Sequence, residues 1–333
     1  MTVSLYLPLD EFDDGKSNFG LAADYLELTA FFSKTSIALT SDLINTSEIA
    51  AEQDYDDVDN EITTREEIVS ATIQHIQKRM QALSENYPFT LDPEGTVISF
   101  ATENLTRGAS VYLLCLVLSH LKPVSNVMQA SEVYPSREEE RLLRQYFQYC
   151  ATAALAAEIR GQAWSFGFPR LDKSGFLTKL KEIWAILRDG RIDPSNDAPT
   201  SPKDDQVDVF AARMHPDGQP GFLLAAAQVA TGSDWEDKSL RHHIDKVFCR
   251  RWFSRPPATV FICYHIIPFL PSEKFFPDNV ALLGNILHRL RVPYRVQEAT
   301  SLVQQGLSVE AFDKVAEVAA WIQAFRLRAL ELP

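Results

Sequence analysis

Three polar side chains interrupt one apolar stretch of this 333-residue chain, and each carries a group useful in chemistry. Asp208 falls inside Val207–Arg213, a β-branched and apolar run of strand length. Gln228 falls near the end of Phe222–Ala230, a continuous apolar run, and Lys238 follows ten residues later. A carboxylate left unpaired inside a buried strand costs several kcal/mol. A lysine near a helix N-terminus opposes the macrodipole by about 0.3–1 kcal/mol. Local rules broken together in one place point to a functional site. Together the three side chains offer two kinds of oxygen donor and one amine.

The elements that must position them are legible on either side. Pro216-Asp217-Gly218 is turn chemistry joining two strands into a hairpin. Ser233 with Glu236 gives a capping box, predicting a helix from Ser233 to Phe253 that Pro256-Pro257 stops. Ala258–Ile267 reads as a third buried strand. The three groups converge only if the Thr231-Gly232-Ser233 turn folds the helix back over the strand ends.

The string VDVFAAR…DGQPGFLLAAAQVATGSDWEDK resembles the core of the restriction-endonuclease-like, PD-(D/E)xK nuclease superfamily, over about Arg137 to Arg295. In particular it is similar to a group of bacterial, defence-associated proteins with an AQxATGxxWxxK-like segment. The resemblance implies that Asp208 is the metal aspartate and Gln228 the second ligand. It makes Lys238 a migrated replacement for the usual lysine, whose place Ala230 takes. The helix before the core strands often carries a further acidic residue in that superfamily, and Glu158 matches it. These catalytic residues (Asp208, Gln228, Lys238, Glu158) would act through Mg²⁺ or Mn²⁺. Mg²⁺ takes one or two carboxylates plus waters, with a backbone carbonyl near Val229 as another donor. Lys238 would hydrogen-bond the nucleophilic water or stabilise the pentacoordinate phosphate. Asp205, at the mouth of the same strand, is the rival for Asp208.

Charge bears on the same question from the other side. The net charge is -13, the wrong sign for a protein that coats nucleic acid nonspecifically. It is unevenly spread. Glu48, Glu52, Asp54, Asp56, Asp57, Asp59 and Glu61 make an acidic block, expected as a solvated loop. Lys238, Arg241, Lys246, Arg250, Arg251 and Arg255 make a basic block directly after the site. Arg241, Lys246, Arg250 and Arg251 are the expected nucleic-acid contacts, with His242 and His243 as further surface or nucleic-acid contacts and His215 as turn surface. Four cysteines lie far apart with no CxxC pair, which predicts small buried hydrophobes and neither a zinc site nor a disulfide framework. Val111–Leu118 and Val260–Phe269 are too short to span a bilayer, and the N-terminus shows no leader, so the expected location is cytoplasmic. There is no phosphate-binding glycine loop, GxSxG elbow or HExxH helix.

Along the rest of the chain, SLYLPL reads as a short edge strand and Tyr25–Leu43 fits strand or helix. Thr64–Glu85 is an amphipathic helix, Pro88–Gly95 a loop, Thr96–Ala101 a strand and Gly108–Leu121 a helix buried nearly all round. Pro135-Ser136 with Glu139 opens a helix running to Gly161. Trp164–Arg170 is a packed aromatic turn, and Phe176–Leu187 a helix closed by Gly190. Arg191–Lys203 is a loop, Asn279–Arg291 a helix, Val292–Val296 a fourth strand and Ser308–Leu330 the closing helix. These elements predict an α/β chain. Residues 1–130 form an N-terminal, mainly helical accessory and docking region. Residues 131–333 form a restriction-endonuclease-like core, its mixed central sheet flanked by helices. The expected function is metal-dependent phosphodiester hydrolysis of nucleic acid, with DNA foremost, in prokaryotic anti-phage or anti-plasmid defence. The alternative is a catalytically inactive nuclease-fold scaffold within a multiprotein defence complex. Expected partners are nucleic acid and other subunits of such a complex, with no membrane.

Overall fold

The computed structural model describes residues 3, 5–7, 19–43, 58–121, 127–128, 131–232, 234–237 and 239–331, and the side chains of these except 58–65. Internal contacts divide the chain into two units, Met1–Leu142 with Val318–Pro333, and Leu143–Glu317. The division falls at Leu142, inside a helix. The C-terminal stretch belongs with the first unit.

The first unit contains α1 (Phe19–Phe32), β1 (Ile37–Leu39), α2 (Val58–Leu83), β2 (Phe89–Leu91), β3 (Val97–Phe100) and α3 (Arg107–Ser119). The ambiguous stretch from Tyr25 thus resolves into a helix followed by a strand. Helix α2 begins at Val58, so Asp59 and Glu61 are helical where a loop was expected. The other acidic-block residues, from Glu48 to Asp57, lie outside the described residues. Of SLYLPL, residues 5–7 are described. They form no strand, although Tyr6 N donates to Val127 O at 2.9 Å. The three strands pair antiparallel in the order β1-β3-β2. Helix α3 starts where Thr106 accepts from Ala109 N at 3.0 Å, and it is buried on nearly every side.

At the centre of this unit lies a charged cluster that no sequence pattern announces. Arg79, 1% exposed, sits 2.7 Å from Asp24 and 2.6 Å from Glu27. Glu27 also accepts from Tyr87 at 2.5 Å and from Tyr112 at 2.7 Å. His120 Nε2 lies 3.1 Å from Asp24. Burial works to lower the Arg79 pKa, but Glu27, Tyr112 and Asp24 overcome it and hold it well above the ordinary value.

Helix α4 (Arg137–Ile159) opens with the expected capping box. Ser136 N donates to Glu139 at 2.9 Å, and Glu139 N donates to the Ser136 hydroxyl at 3.3 Å. After it come β4 (Gln162–Ser165), α5 (Phe176–Leu187), β5 (Arg191–Ile192), β6 (Val209–Arg213) and β7 (Leu223–Val229). A 3-10 turn (Trp235–Asp237) leads to α6 (Leu240–His243), a π-helical turn (Ile244–Phe248) and α7 (Cys249–Trp252). The chain ends with β8 (Phe253–Arg255), β9 (Phe261–Ile266), α8 (Phe276–Leu283), β10 (Asn285–Leu287), α9 (Val292–Gln304) and α10 (Phe312–Leu330).

Five strands make the sheet that positions the site, in the order β10-β9-β7-β6-β4. The first two pairings in chain order, β4–β6 and β6–β7, are antiparallel; β7–β9 and β9–β10 are parallel. The chain is therefore mixed α/β, its mixed sheet flanked by helices. Alternate residues of the strands, Trp164, Phe210, Ala212, Leu224, Ala226 and Cys263, pack on one face against Leu180, Ile183 and Trp184 of α5 and Leu240, Phe248 and Trp252 of the α6–α7 run.

Several local expectations change: β2 forms within the expected Pro88–Gly95 loop, and the expected Asn279–Arg291 helix is instead α8 followed by β10. The helix after β7 begins at Leu240 and not at Ser233, which is outside the described residues. The strand expected at Val292–Val296 is the start of α9, where Pro293 suits the first turn because it has no N–H to leave unpaired; the last strand is β10. Helix α5 ends on Arg188, itself left-handed at φ 55, so Gly190 does not supply the cap. Gly190 instead allows close passage of the chain, since a Cβ there would meet Arg255 O at 2.8 Å. The loop from Arg191 starts as β5, paired with β8, and is tied down by Asp193 N to Trp252 O at 3.0 Å and Ser195 N to Arg251 O at 2.8 Å.

Candidate functional site

Strand β6 enters the sheet at Asp208, and the ladder ends there. Its backbone oxygen accepts from Phe166 N, Gly167 N and the Gln148 amide at 2.7, 2.9 and 2.7 Å. Its carboxylate turns along the sheet end, where Oδ2 accepts from Val229 N of β7 at 2.8 Å. Oδ1 lies against Gly167, where a Cβ would stand 2.6 Å away. Asp208 thus joins the ends of both neighbouring strands, and a Cβ at Gly167 would require that carboxylate to shift.

The β6–β7 register pairs Val209 with Ala227, so Gln228 comes opposite Asp208 one step beyond the ladder. Gln228 is 7% exposed, and among the described residues its Oε1 has no hydrogen-bond partner. Such an orphaned acceptor costs about 1–3 kcal/mol. Across β7–β9 the same row continues to His265, and the Trp235 ring lies 5.9 Å from the His265 ring. Two of the four expected catalytic residues, Asp208 and Gln228, are therefore neighbours at one sheet end.

Glu158 is not with them. It is paired with Arg295 at 2.6 Å and accepts from Tyr264 at 3.4 Å. Tyr264 is adjacent to His265 in β9, and neighbouring strand residues point to opposite faces. Burial and the Glu158 carboxylate push the Tyr264 hydroxyl up to about 12. Glu158 is therefore an ion-pair partner of α9 on the other face of the sheet from Gln228. Lys238 lies outside the described residues. Among the described residues, no group of three or more His, Cys, Asp and Glu side chains is placed to hold a metal ion.

Asp205 is engaged elsewhere. It accepts from Arg251 at 2.8 Å and from the Trp252 indole at 2.6 Å, and His243 Nε2 lies 3.2 Å away, off the line of a good hydrogen bond. Burial works to raise its pKa; His243, Trp252 and Arg251 outweigh that and hold it below the ordinary carboxylate range. Asp205 and Gln206 are both left-handed, at φ 49 and 67, a strained pair for residues with side chains.

The four expected nucleic-acid contacts separate. Arg241 and Lys246 line a groove of about 630 Å³ with Gln206, His242 and His243. Asp237 and Asp245 line it too, so its charge is mixed. Arg251 is held by Asp205, and Arg250 is exposed away from the groove lining. His243, expected at the surface, is 8% exposed and meets Asp205. The helical spacing shared by Leu240, His243 and Ile244 could have marked it as inward-facing. Nothing in the sequence marks Gln148 or Gly167 as supports of Asp208. Phe166 is buried as a packed aromatic turn requires, whereas Phe168 is 57% exposed.

Compared with known protein families, curated proteins and solved structures, the chain gives no match.

Proposed function

We propose that the chain is a nuclease of restriction-endonuclease-like fold, hydrolysing phosphodiesters of nucleic acid, DNA foremost, with Mg²⁺ or Mn²⁺ held at the Asp208–Gln228 sheet end. One observation supports this reading: among the described residues the buried Gln228 Oε1 has no partner, and Gln228 lies across the ladder end from a carboxylate. A hard cation completes that acceptor, and Mg²⁺ suits a site with one carboxylate because it keeps most of its waters. Once bound, the cation supplies charge neutralisation at the phosphate and a more acidic water. Asp208 contributes the negative charge and Gln228 a neutral oxygen. Val229 N fixes the Asp208 carboxylate through Oδ2, and Gly167 leaves room for Oδ1. Lys238 keeps the role that the sequence resemblance gives it. Prokaryotic defence, and action within a multiprotein defence assembly, follow from that resemblance alone.

A second reading is a catalytically inactive nuclease fold that serves as a scaffold subunit. Two observations favour it: Asp208 Oδ2 already accepts from Val229 N, and Glu158 is committed to Arg295. Plasmid and oligonucleotide cleavage with Mg²⁺ or Mn²⁺ separates the two, comparing wild type with Asp208→Ala, Gln228→Ala and Lys238→Ala. The nuclease reading expects loss of cleavage in Asp208→Ala, together with weaker Mn²⁺ binding by calorimetry. Cleavage that survives Asp208→Ala rejects the site. Absence of cleavage by wild type, alone or with its natural partners, leaves the scaffold.

A further inference from the structure

The groove beside α6 combines several departures from ordinary local structure. Its wall includes Gln206, the second of two consecutive left-handed residues with side chains. Its helix turns from α to π directly after His243, and π turns recur at functional sites. His243 lines the groove while nine-tenths buried, and Asp205, anchored by Trp252 and Arg251, lies 3.2 Å behind its Nε2. The nearby carboxylate makes no aligned hydrogen bond to Nε2, and Nδ1 is the ring nitrogen farther from it. Strain, a helix irregularity and a buried histidine with a nitrogen unpaired among the described residues, all in one concavity, are costs that packing alone does not require.

We propose that this groove binds one phosphate-bearing nucleotide unit of a nucleic-acid chain. His243 contacts the phosphate, and Arg241 and Lys246 supply charge at the rim. The ligand class rests on the nuclease reading above. The limit to a single unit comes from the groove itself. Its volume of about 630 Å³ suits a small ligand, and Asp237 and Asp245 repel a second phosphate drawn along the same wall. Gln206 is two residues from Asp208, so a strand seated here passes close to the Asp208 sheet end. Binding by one defined unit also suits a chain whose net charge of -13 opposes broad contact with polyanions.

The test is binding, not cleavage, so its outcome is separable from the nuclease assay. Fluorescein-labelled tetrathymidylate and tetrauridylate are titrated in EDTA and followed by anisotropy at several salt concentrations. Thymidine 5′-monophosphate serves as competitor. Wild type should bind at least one of the two oligonucleotides and release it to the mononucleotide. Arg241→Gln with Lys246→Gln should lower the salt slope by about one unit per cation removed. His243→Gln should weaken binding about tenfold or more, the scale of one hydrogen bond to a charged group. Lys181→Gln, exposed on α5 and outside the groove lining, should bind as wild type does. Because His243 is buried, its variant is read beside the exposed Arg241 and Lys246 variants, whose folding is not at stake. Three results overturn the proposal: wild type that binds neither oligonucleotide, equal losses in Lys181→Gln and the groove variants, or unchanged affinity in the groove variants.

Discussion

Replacing Arg79 by Met should destabilise the first unit more than any other single exposed-to-apolar or charge-removing change there. Its guanidinium lies 2.7 Å from Asp24 and 2.6 Å from Glu27, and it also donates to Gly20 O at 2.8 Å. Met fills much of the space but leaves two carboxylates in a site where Glu27 is fully buried and Asp24 nearly so. Glu27 keeps Tyr87 and Tyr112 as donors, and Asp24 keeps His120, but both carboxylates lose the guanidinium charge they share. Breaking a buried pair from one side costs about 3–5 kcal/mol. A domain's whole stability is about 5–15 kcal/mol, so the effect is large. Arg79→Met combined with Glu27→Gln should recover part of the loss, with a coupling of about 0.5–3 kcal/mol. Denaturant unfolding gives the size. Hydrogen exchange read by mass spectrometry gives the place, with peptides from α1, α2 and α3 losing protection first. An Arg79→Met protein within about 0.5 kcal/mol of wild type would refute the reasoning, since that is the range of an ordinary surface substitution.

Gly167→Ala should displace the Asp208 carboxylate, because the new Cβ would stand 2.6 Å from Oδ1 and 3.0 Å from the Gln148 amide. Misplacement by about 1 Å can cost on the order of a hundredfold in rate, so an alanine variant that cleaves like wild type counts against Asp208. Gln228→Met should raise stability by about 1–3 kcal/mol in chelator, by removing an orphaned oxygen, while abolishing Mg²⁺-dependent stabilisation; thermal melts with and without Mg²⁺ check both signs. His288 is held neutral, its pKa lowered to about 3 by burial and by Arg291 and Arg289. Its unfolded value is about 6.5, so its contribution is complete above that pH and declines toward pH 3, with about 2 kcal/mol lost at pH 5. Unfolding at pH 7.5 and 5 should show that loss in wild type and a smaller one in His288→Asn; equal losses would remove His288 as the cause.

The hairpin was legible because its signals are local. The β-branched run to Arg213, the Pro-Asp-Gly turn and the apolar run to Val229 all sit within one short stretch, and the strands form there. The capping box at Ser136 and Glu139 was legible for the same reason. What could not be read was partnership across long sequence separation. Glu158 fits an acidic metal ligand by position, but its partner Arg295 lies far along the chain, and only the fold shows that Tyr264 and Glu158 meet on the other face of the sheet. Asp205 and Asp208 look interchangeable in sequence. The structure separates them because Trp252 and Arg251 arrive from a helix forty-odd residues later. Val292–Val296 failed for a different reason: five residues with valine at each end and a tyrosine between fit strand or helix, and Pro293 at a first helical turn decides for helix.

The glutamine at position 228 follows from the electrostatics of the sheet end. Its side chain is nine-tenths buried and, among the described residues, its oxygen has no donor, so a carboxylate there would be a second buried charge beside that of Asp208. Two like charges that close disfavour one another's ionisation. An amide avoids that conflict and still presents an oxygen, at the cost of weaker attraction for a divalent ion. On the nuclease reading, the amide would make the site tolerant of standing without an ion and would make affinity depend on what the substrate brings. A phosphate held nearby would add the missing negative charge. Cation binding and nucleic-acid binding should therefore reinforce one another here: Mn²⁺ titrated in the presence of a non-cleavable oligonucleotide should bind more tightly than Mn²⁺ alone. Equal affinity in the two titrations would mean that Gln228 is a packing residue and that the Asp208 end of the sheet holds no substrate.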